Sequence, residues 1–145
     1  MILYTIGFTK TSAENFFGRI RKAGVSAVLD VRLKTDSQLS GFAKKQDLVF
    51  FLKELLDVGY RQELMLAPTK SLLDSYKKKD ISWSTYESAY IELISARKVE
   101  SMIKPEDVDR SCFLCSEDTP HKCHRRLAAE YLSSCWGEII QIKHL

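Results

Sequence analysis

The sequence predicts a single α/β domain with a largely parallel sheet of about five strands and helices on both faces of that sheet. Three observations lead to this prediction. Strand and helix patterns alternate along all 145 residues, 45% of the residues are hydrophobic, and no repeat or Pro/Gly/Ser-rich linker divides the chain. Two successive helical patterns predict an all-helical insertion near residues 69–104. We therefore treat residues 1–145 as one domain.

The first half of the chain predicts three strands and two helices. The run 25–31 is the strongest strand pattern, because a parallel strand that is covered on both faces is apolar on both. Capping residues and glycines mark the helix ends. The predicted elements are a strand at 2–6, a helix from the capping box Thr11-Ser12-Ala13-Glu14 to Gly24, a strand at 25–31, a polar loop at 34–45, a helix at about 47–58 stopped by Gly59, and a strand at 60–66.

The second half predicts the helical insertion and then a strand, a helix and a strand. Capping residues again mark the start of the second helix of the insertion. The predicted elements are a helix near 71–78, a helix capped by Ser84-Thr85-Tyr86-Glu87, a strand at 111–116, a helix at about 123–135 ended by Gly137, and a strand at 138–142. This order of elements favours a largely parallel sheet with helices on both faces.

Composition and charge indicate the compartment of the protein and the partners that it could have. No apolar run approaches the roughly 20 residues that span a bilayer, and no basic segment precedes the apolar start of the chain, so we expect a cytoplasmic protein without a membrane partner. The four cysteines need not pair, because the core is large enough without disulfides. A net charge of +3 is compatible with a phosphate-bearing partner but does not by itself predict nucleic-acid binding.

Two charged residues lie at the end of the strongest predicted strand. Asp30 and Arg32 are two residues apart, so their side chains emerge on the same side. In open parallel sheets, ligands bind beyond the carboxyl ends of the strands, where this pair would lie. The pair is either a salt bridge that holds the strand end or a base beside an anion clamp.

The segment 112–126 carries the densest set of reactive side chains and runs from a strand through a loop into a helix. Unpaired backbone N–H groups at a helix start attract anions, and Arg125 adds charge there. His124 lies on the apolar stripe of the helix and leans toward the sheet, which suits either a packed core histidine or a functional one. Cys115 and Cys123 are the thiols whose surroundings favour a thiolate.

A zinc site with Cys112, Cys115, Cys123 and His124 as ligands is not predicted. Cys112 and Cys115 would lie on opposite faces of a strand. The two residues between them include no Gly or Pro that could form a metal-binding knuckle. Nicotinamide and P-loop fingerprints are also missing from the sequence, so no metal and no cofactor is predicted.

Short motifs occur along nearly the whole chain; they are Thr5-Ile6-Gly7, Asp30-Val31-Arg32, Ser37, Gly41-Phe42, Gly59-Tyr60, Leu114-Cys115-Ser116-Glu117, Pro120 and Cys123-His124-Arg125. Taken together, these motifs make the chain resemble the family called domain of unknown function 488. The chain differs from many relatives at Phe8, at Thr35 and over residues 64–68. The resemblance implies an α/β fold and a polar pocket, and it implies no established activity.

The sequence leaves two functions open for the predicted pocket. The first is a hydrolase or group transferase acting on a phosphate-bearing substrate such as a nucleotide or nucleic acid; the second is a module that binds such a ligand without turnover. The candidate catalytic residues are Asp30, Cys115, Glu117 and His124, and the candidate ligand-binding residues are Arg32, Ser37, Cys123 and Arg125. Trp83, Tyr86 and Tyr90 are expected to pack between helices or to line a groove that stacks bases.

Overall fold

A computed structural model of the chain describes residues 1–36 and 40–145. Five strands and seven helices make up the described part of the fold. The strands are β1 (Ile2–Gly7), β2 (Ala27–Asp30), β3 (Gly59–Gln62), β4 (Ser111–Cys115) and β5 (Gln141–His144). The helices are α1 (Ala13–Ala23), α2 (Lys45–Leu56), α3 (Lys70–Lys77), α4 (Trp83–Ala96), α5 (Val99–Met102), α6 (Pro105–Val108) and α7 (His124–Cys135).

The five strands form one parallel sheet in the order β3-β2-β4-β1-β5. The predicted fold class, a single α/β domain with a parallel sheet, is confirmed. The predicted helical insertion is also present, and its four helices, α3 to α6, connect β3 to β4. Among the described residues, no helix combines the length and the apolar character needed to cross a membrane.

Helices cover both faces of the sheet, and each face has its own apolar core. We call the face covered by α1 and α2 the α1 face; its core includes Phe16, Ile20 and Leu48. We call the opposite face, covered by α4 and α7, the α7 face; its core includes Tyr90 and Leu132. Side chains along each strand alternate between the two cores, as the period of a strand requires.

The topology places a crevice at the carboxyl ends of β2 and β4. These strands are neighbours in the sheet, but the helix α2 that follows β2 lies on the α1 face and the helix α7 that follows β4 lies on the α7 face. The two chain segments therefore diverge to opposite sides beyond the sheet edge. A divergence of this kind leaves a cleft in which parallel α/β proteins bind ligands.

Three predicted helix ends differ from the structure by one to two residues. Ser12, not Thr11, caps α1, since its side chain accepts a hydrogen bond from the backbone of Asn15. Ser82, not Ser84, caps α4 in the same way. The C-terminal end of α2 is capped by Asp57 in the left-handed conformation, with a φ of 53°, two residues before the expected Gly59. In each case a neighbouring polar residue takes the role that the pattern assigned to another.

Two strands are displaced from their predicted ranges. The region expected to hold the third strand pairs with β2 only over Gly59–Gln62 and then forms a short 3-10 helix at Leu64–Leu66. The last strand begins at Gln141, not at Glu138, because Gly137 and Glu138 both have positive φ angles and still belong to the turn after α7.

Candidate active site

A cavity of about 610 Å³ lies at the carboxyl ends of β2 and β4, where the topology predicts a cleft. Arg32 lines it from the end of β2, and Cys115, Glu117, Cys123 and His124 line it from β4, the following loop and the start of α7. The helices α3 and α4 supply the opposite wall. Two segments about eighty residues apart in the chain thus contribute to one cavity.

Three metal- or proton-binding side chains form the floor of this cavity. The Sγ atom of Cys115 lies 3.6 Å from Nδ1 of His124, and the donor atoms of Cys115, Cys123 and His124 all lie within 4.8 Å of one another. Cys115 is the last residue of β4, Cys123 is the residue before α7, and His124 is its first residue. All three side chains are buried. We call this set the Cys-Cys-His cluster.

A backbone carbonyl sets the orientation of the histidine ring. The Nε2 atom of His124 lies 2.8 Å from the carbonyl oxygen of Val31, the residue after β2. Because a carbonyl only accepts, Nε2 donates a hydrogen to it. In the neutral ring Nδ1 is then the nitrogen with a lone pair. The sulfur of Cys115 lies near both ring nitrogens, 3.6 Å from Nδ1 and 3.8 Å from Nε2.

The two cysteines of the cluster differ in acidity. A hydrogen bond from the Cys123 thiol, together with the backbone N–H of Ser116 and the charge of Arg125, lowers the pKa of Cys115 despite its burial. Burial and the neighbouring sulfur raise the pKa of Cys123 well above its usual value. Cys115 is therefore the more acidic thiol of the pair.

Arg125 lies behind the cluster and is fully buried. Its Nη1 atom donates to the backbone carbonyl of Glu117 at 2.6 Å and to the sulfur of Cys123 at 3.4 Å, while Nε points to the hydroxyl of Thr5 at 3.4 Å. Within the described ranges, the guanidinium has no carboxylate partner, and Nη2 has no hydrogen-bond acceptor. Arg125 does not line the cavity, so it acts on the cluster from behind.

Asp30 and Arg32 form a buried salt bridge at the end of β2. The Nε and Nη2 atoms of Arg32 donate to the two carboxylate oxygens of Asp30 at 2.9 and 2.7 Å, and the hydroxyl of Tyr60 donates to one of them at 2.7 Å. Asp30 is fully buried and does not line the cavity. Its carboxylate orients Arg32, which does reach the cavity and has an unpaired, buried Nη1 atom.

The remaining predicted site residues occupy different positions. Glu117 is exposed and lines the cavity. Ser37 lies outside the described residues. Cys112 packs in the core of the α1 face, on the opposite side of the sheet from Cys115.

Gly7 is required where β1 passes the loop after β4. A Cβ atom on this residue would lie 1.6 Å from the carbonyl oxygen of Glu117, the same carbonyl that accepts from Arg125. No side chain larger than hydrogen fits there without moving the loop backbone. The glycine therefore allows the loop that carries Glu117 to sit against β1.

Aromatic rings form one wall of the cavity. Tyr76, Trp83 and Tyr86 line it, with centroid distances of 5.6 Å between the first two rings and 5.3 Å between the stacked Trp83 and Tyr86. Tyr90 continues the series toward His124, at 5.4 Å, but it is fully buried and donates to the carbonyl of Leu66. The expected aromatic set thus divides, with Tyr90 in the core and Trp83 and Tyr86 at the cavity.

The rim of the cavity is basic. Among the described residues that line it, the exposed charged ones are four lysines and two acidic residues; they are Lys34, Lys77, Lys79, Lys122, Asp36 and Glu117. Sequence reasoning missed Tyr76 and the carbonyl of Val31. Tyr76 lies on the apolar stripe of α3, which identifies it as inward-facing but not as part of a cavity, and a backbone carbonyl leaves no signal in a sequence.

Comparison with known proteins identifies a family and nothing more specific. Neither a curated protein nor a solved structure matches the chain. The family model described as domain of unknown function DUF488 matches residues 12–132. This range includes the Cys-Cys-His cluster and the aromatic wall. The chain therefore belongs to the DUF488 family.

Proposed function

We propose that the protein is a hydrolase or group transferase whose cavity binds a phosphate-bearing substrate with a planar ring, such as a nucleotide. One observation carries the proposal: an aromatic wall, a basic rim and a buried thiol–imidazole cluster line the same cavity. Its volume of about 610 Å³ lies in the range of small-molecule sites. The cavity also lies at the switch point of the sheet, where α/β proteins bind ligands.

The two sides of the cavity suit the two parts of such a substrate. A base or another planar ring would stack on the half-buried Trp83, and its phosphate would meet Lys77 and Lys79 at the end of α3. Arg32, which lines the cavity, adds its guanidinium at the strand end. A substrate held in this way would bring its reacting group toward the Cys-Cys-His cluster, with Glu117 available for proton transfer.

Ligand binding tests the substrate class. We would measure by calorimetry the binding of a nucleoside monophosphate, of the same nucleoside and of inorganic phosphate. We expect the nucleotide to bind more tightly than either part. Trp83→Leu should weaken nucleotide binding by roughly tenfold to a hundredfold, which is the usual effect of losing one stacking interaction. Trp136→Leu, which changes a half-buried tryptophan outside the cavity, should leave binding unchanged.

Removing lysines from the rim tests whether the rim binds the phosphate of the same ligands. Replacing Lys77 and Lys79 by alanine should remove most of the advantage of the nucleotide over the nucleoside, because the nucleoside lacks the phosphate. Lys143→Ala is the matched control, since this exposed lysine lies on β5, outside the cavity. Equal losses for both ligands, or equal effects of the two sets of variants, would contradict a phosphate subsite at the rim.

Turnover separates an enzyme from a binding module. Glu117→Gln should lower the rate of phosphate or group release by about a hundredfold or more while nucleotide binding is retained, as expected for loss of a general acid or base. Glu138→Gln, an exposed change outside the cavity, should have no effect. If nucleotides bind but the protein releases no phosphate or other group under any condition tested, it is a non-catalytic binding module.

A further inference from the structure

We propose that the Cys-Cys-His cluster binds a zinc ion through Cys115, Cys123 and His124, with a fourth coordination position open to the cavity. Two thiolates and one imidazole form a known type of three-ligand zinc site. All three donor atoms lie within 4.8 Å of one another and all three residues line the cavity. Zinc bonds of about 2.0–2.3 Å in a tetrahedron place ligand atoms roughly 3.5–3.8 Å apart, and Cys115 Sγ lies 3.6 Å from His124 Nδ1.

The histidine is held as a metal ligand is usually held. A ligating imidazole commonly donates its other ring N–H to a carboxylate or a backbone carbonyl, which fixes the ring and directs the lone pair at the metal. In His124, Nε2 donates to the carbonyl of Val31 at 2.8 Å, which leaves the lone pair on Nδ1, 3.6 Å from the sulfur of Cys115. The carbonyl thus leaves Nδ1 as the nitrogen that can ligate an ion held by the two sulfurs.

The charge behind the cluster favours thiolates. Arg125 is a fully buried cation for which the described part of the chain supplies no carboxylate, and its nearest anionic candidate is the sulfur of Cys123, 3.4 Å from Nη1. A buried charge is costly unless it is compensated. Negative charge on the sulfurs compensates the guanidinium, and N–H···S bonds of this kind stabilise metal-bound thiolates.

The site differs from the zinc site that the sequence argued against. That set had four ligands and included Cys112, which lies in the core on the other face of the sheet. Three ligands at the floor of a cavity leave a position for water or substrate, which is the arrangement of catalytic zinc and not of structural zinc. Zinc binding itself rests only on the cluster; a catalytic role for the ion rests on the proposed function as well.

Direct metal titration tests the inference. Metal-free protein, prepared with a chelator under reducing conditions, would be titrated with zinc in competition with a chromophoric chelator, and separately with cobalt. We expect one zinc ion per chain, and a cobalt spectrum with thiolate charge-transfer bands and the intense visible bands of tetrahedral coordination. Cys115→Ser, Cys123→Ser and His124→Asn should each weaken zinc binding at least tenfold. Cys135→Ser, which changes an exposed cysteine, should bind zinc like the wild type.

Several outcomes would overturn the zinc site. The first is zinc binding that is as tight in all three cluster variants as in the wild type. The second is a cobalt spectrum without thiolate bands, and the third is no zinc binding at micromolar protein concentration. Far-ultraviolet circular dichroism identifies a variant that does not fold, and Cys123→Ala then replaces Cys123→Ser. Nucleotide calorimetry on metal-free and zinc-loaded protein separates the two proposals: zinc without nucleotide binding contradicts only the proposed function, and the reverse contradicts only the metal site.

Discussion

Arg125 shows how a single buried residue connects three parts of the site. Its guanidinium contacts Thr5 in β1, the carbonyl of Glu117 in the loop after β4 and the sulfur of Cys123 at the start of α7. The residue is fully buried and faces the cluster, not the cavity. We therefore regard it as a positioning residue that holds the loop and favours negative charge on the thiols.

We predict that Arg125→Lys lowers the free energy of unfolding by about 1–3 kcal/mol, because one ammonium cannot replace the several directed donors of the guanidinium in a buried site. Urea denaturation measures the change. Arg61→Lys should have an effect below about 0.5 kcal/mol, since the partly exposed Arg61 pairs with Glu63 at the surface, at 3.4 Å. Equal effects of the two substitutions would contradict the positioning role.

Gly7 provides a second prediction for a single residue. Gly7→Ala places a methyl group 1.6 Å from the carbonyl oxygen of Glu117, so we expect a loss of about 1–3 kcal/mol or more in the free energy of unfolding. Gly18→Ala is the matched control, because α1 offers open space there and alanine is the better helix former. The control should stabilise the protein by roughly 0.5–1 kcal/mol. Thermal denaturation of both variants would reveal the opposite signs.

At the scale of elements, the caps show what a local pattern can and cannot specify. The sequence correctly predicts a helix after Thr11-Ser12, but both residues can cap and only the structure shows that Ser12 does so. The same ambiguity of two residues occurs at the start of α4, where Ser82 caps in place of Ser84. Capping depends on the direction from which the chain enters the helix, and tertiary packing sets that direction.

We therefore predict that Ser12→Ala destabilises the protein by about 1 kcal/mol, the usual effect of losing an N-cap side chain. Thr11→Ala should cost much less, because its hydroxyl contacts only the exposed side chain of Asn15. Chemical denaturation of the two variants measures the difference. A larger loss for Thr11→Ala would assign the cap to the residue that the pattern first indicated.

At the scale of the whole molecule, the sheet topology brings the site together. The order of strands makes β2 and β4 neighbours, although the helical insertion and β3 separate them in the chain. This placement is what allows Val31 to accept from His124 and what brings Arg32 to the cavity that Cys115 also lines. The shared cavity is therefore a consequence of the fold, not of local sequence.

The last strand provides a prediction about pH. Partial burial of the His144 ring, together with the charge of Arg125, lowers the pKa of His144, whose Nδ1 lies 2.7 Å from the hydroxyl of Thr5. The folded protein then binds this proton more weakly than the unfolded chain does. The contribution to stability is complete above the unfolded pKa of about 6.5 and is lost as pH falls through the lower folded pKa.

Urea denaturation at several pH values between about 5 and 7.5 tests this expectation. The free energy of unfolding of the wild type should decrease toward the acid end of that range, and His144→Asn should show a shallower dependence on pH. The comparison uses the slopes, because the substitution also removes the contact with Thr5. Parallel slopes in the two proteins would contradict a lowered pKa at His144.

The sequence was sufficient for the fold class and for the segments that carry reactive side chains, because hydrophobic period and capping signals are local. It was insufficient for the arrangement of those side chains. From the sequence, Asp30 and Arg32 could form either a structural salt bridge or a base beside an anion clamp. The structure shows a buried salt bridge, and the hydroxyl of Tyr60 also donates to Asp30. The same holds for the direction of Arg125 and for the aromatic wall, since both depend on contacts between segments that are distant in the chain.

A crystal structure of the protein grown with a saturating nucleoside monophosphate tests the central claim most directly. The claim is that one cavity joins the aromatic wall, the basic rim and the Cys-Cys-His cluster into a site for a phosphate-bearing ligand. We predict the planar ring against Trp83 and the phosphate among Lys77, Lys79 and Arg32. An empty cavity at saturating ligand, or a nucleotide bound elsewhere on the protein, would contradict the account.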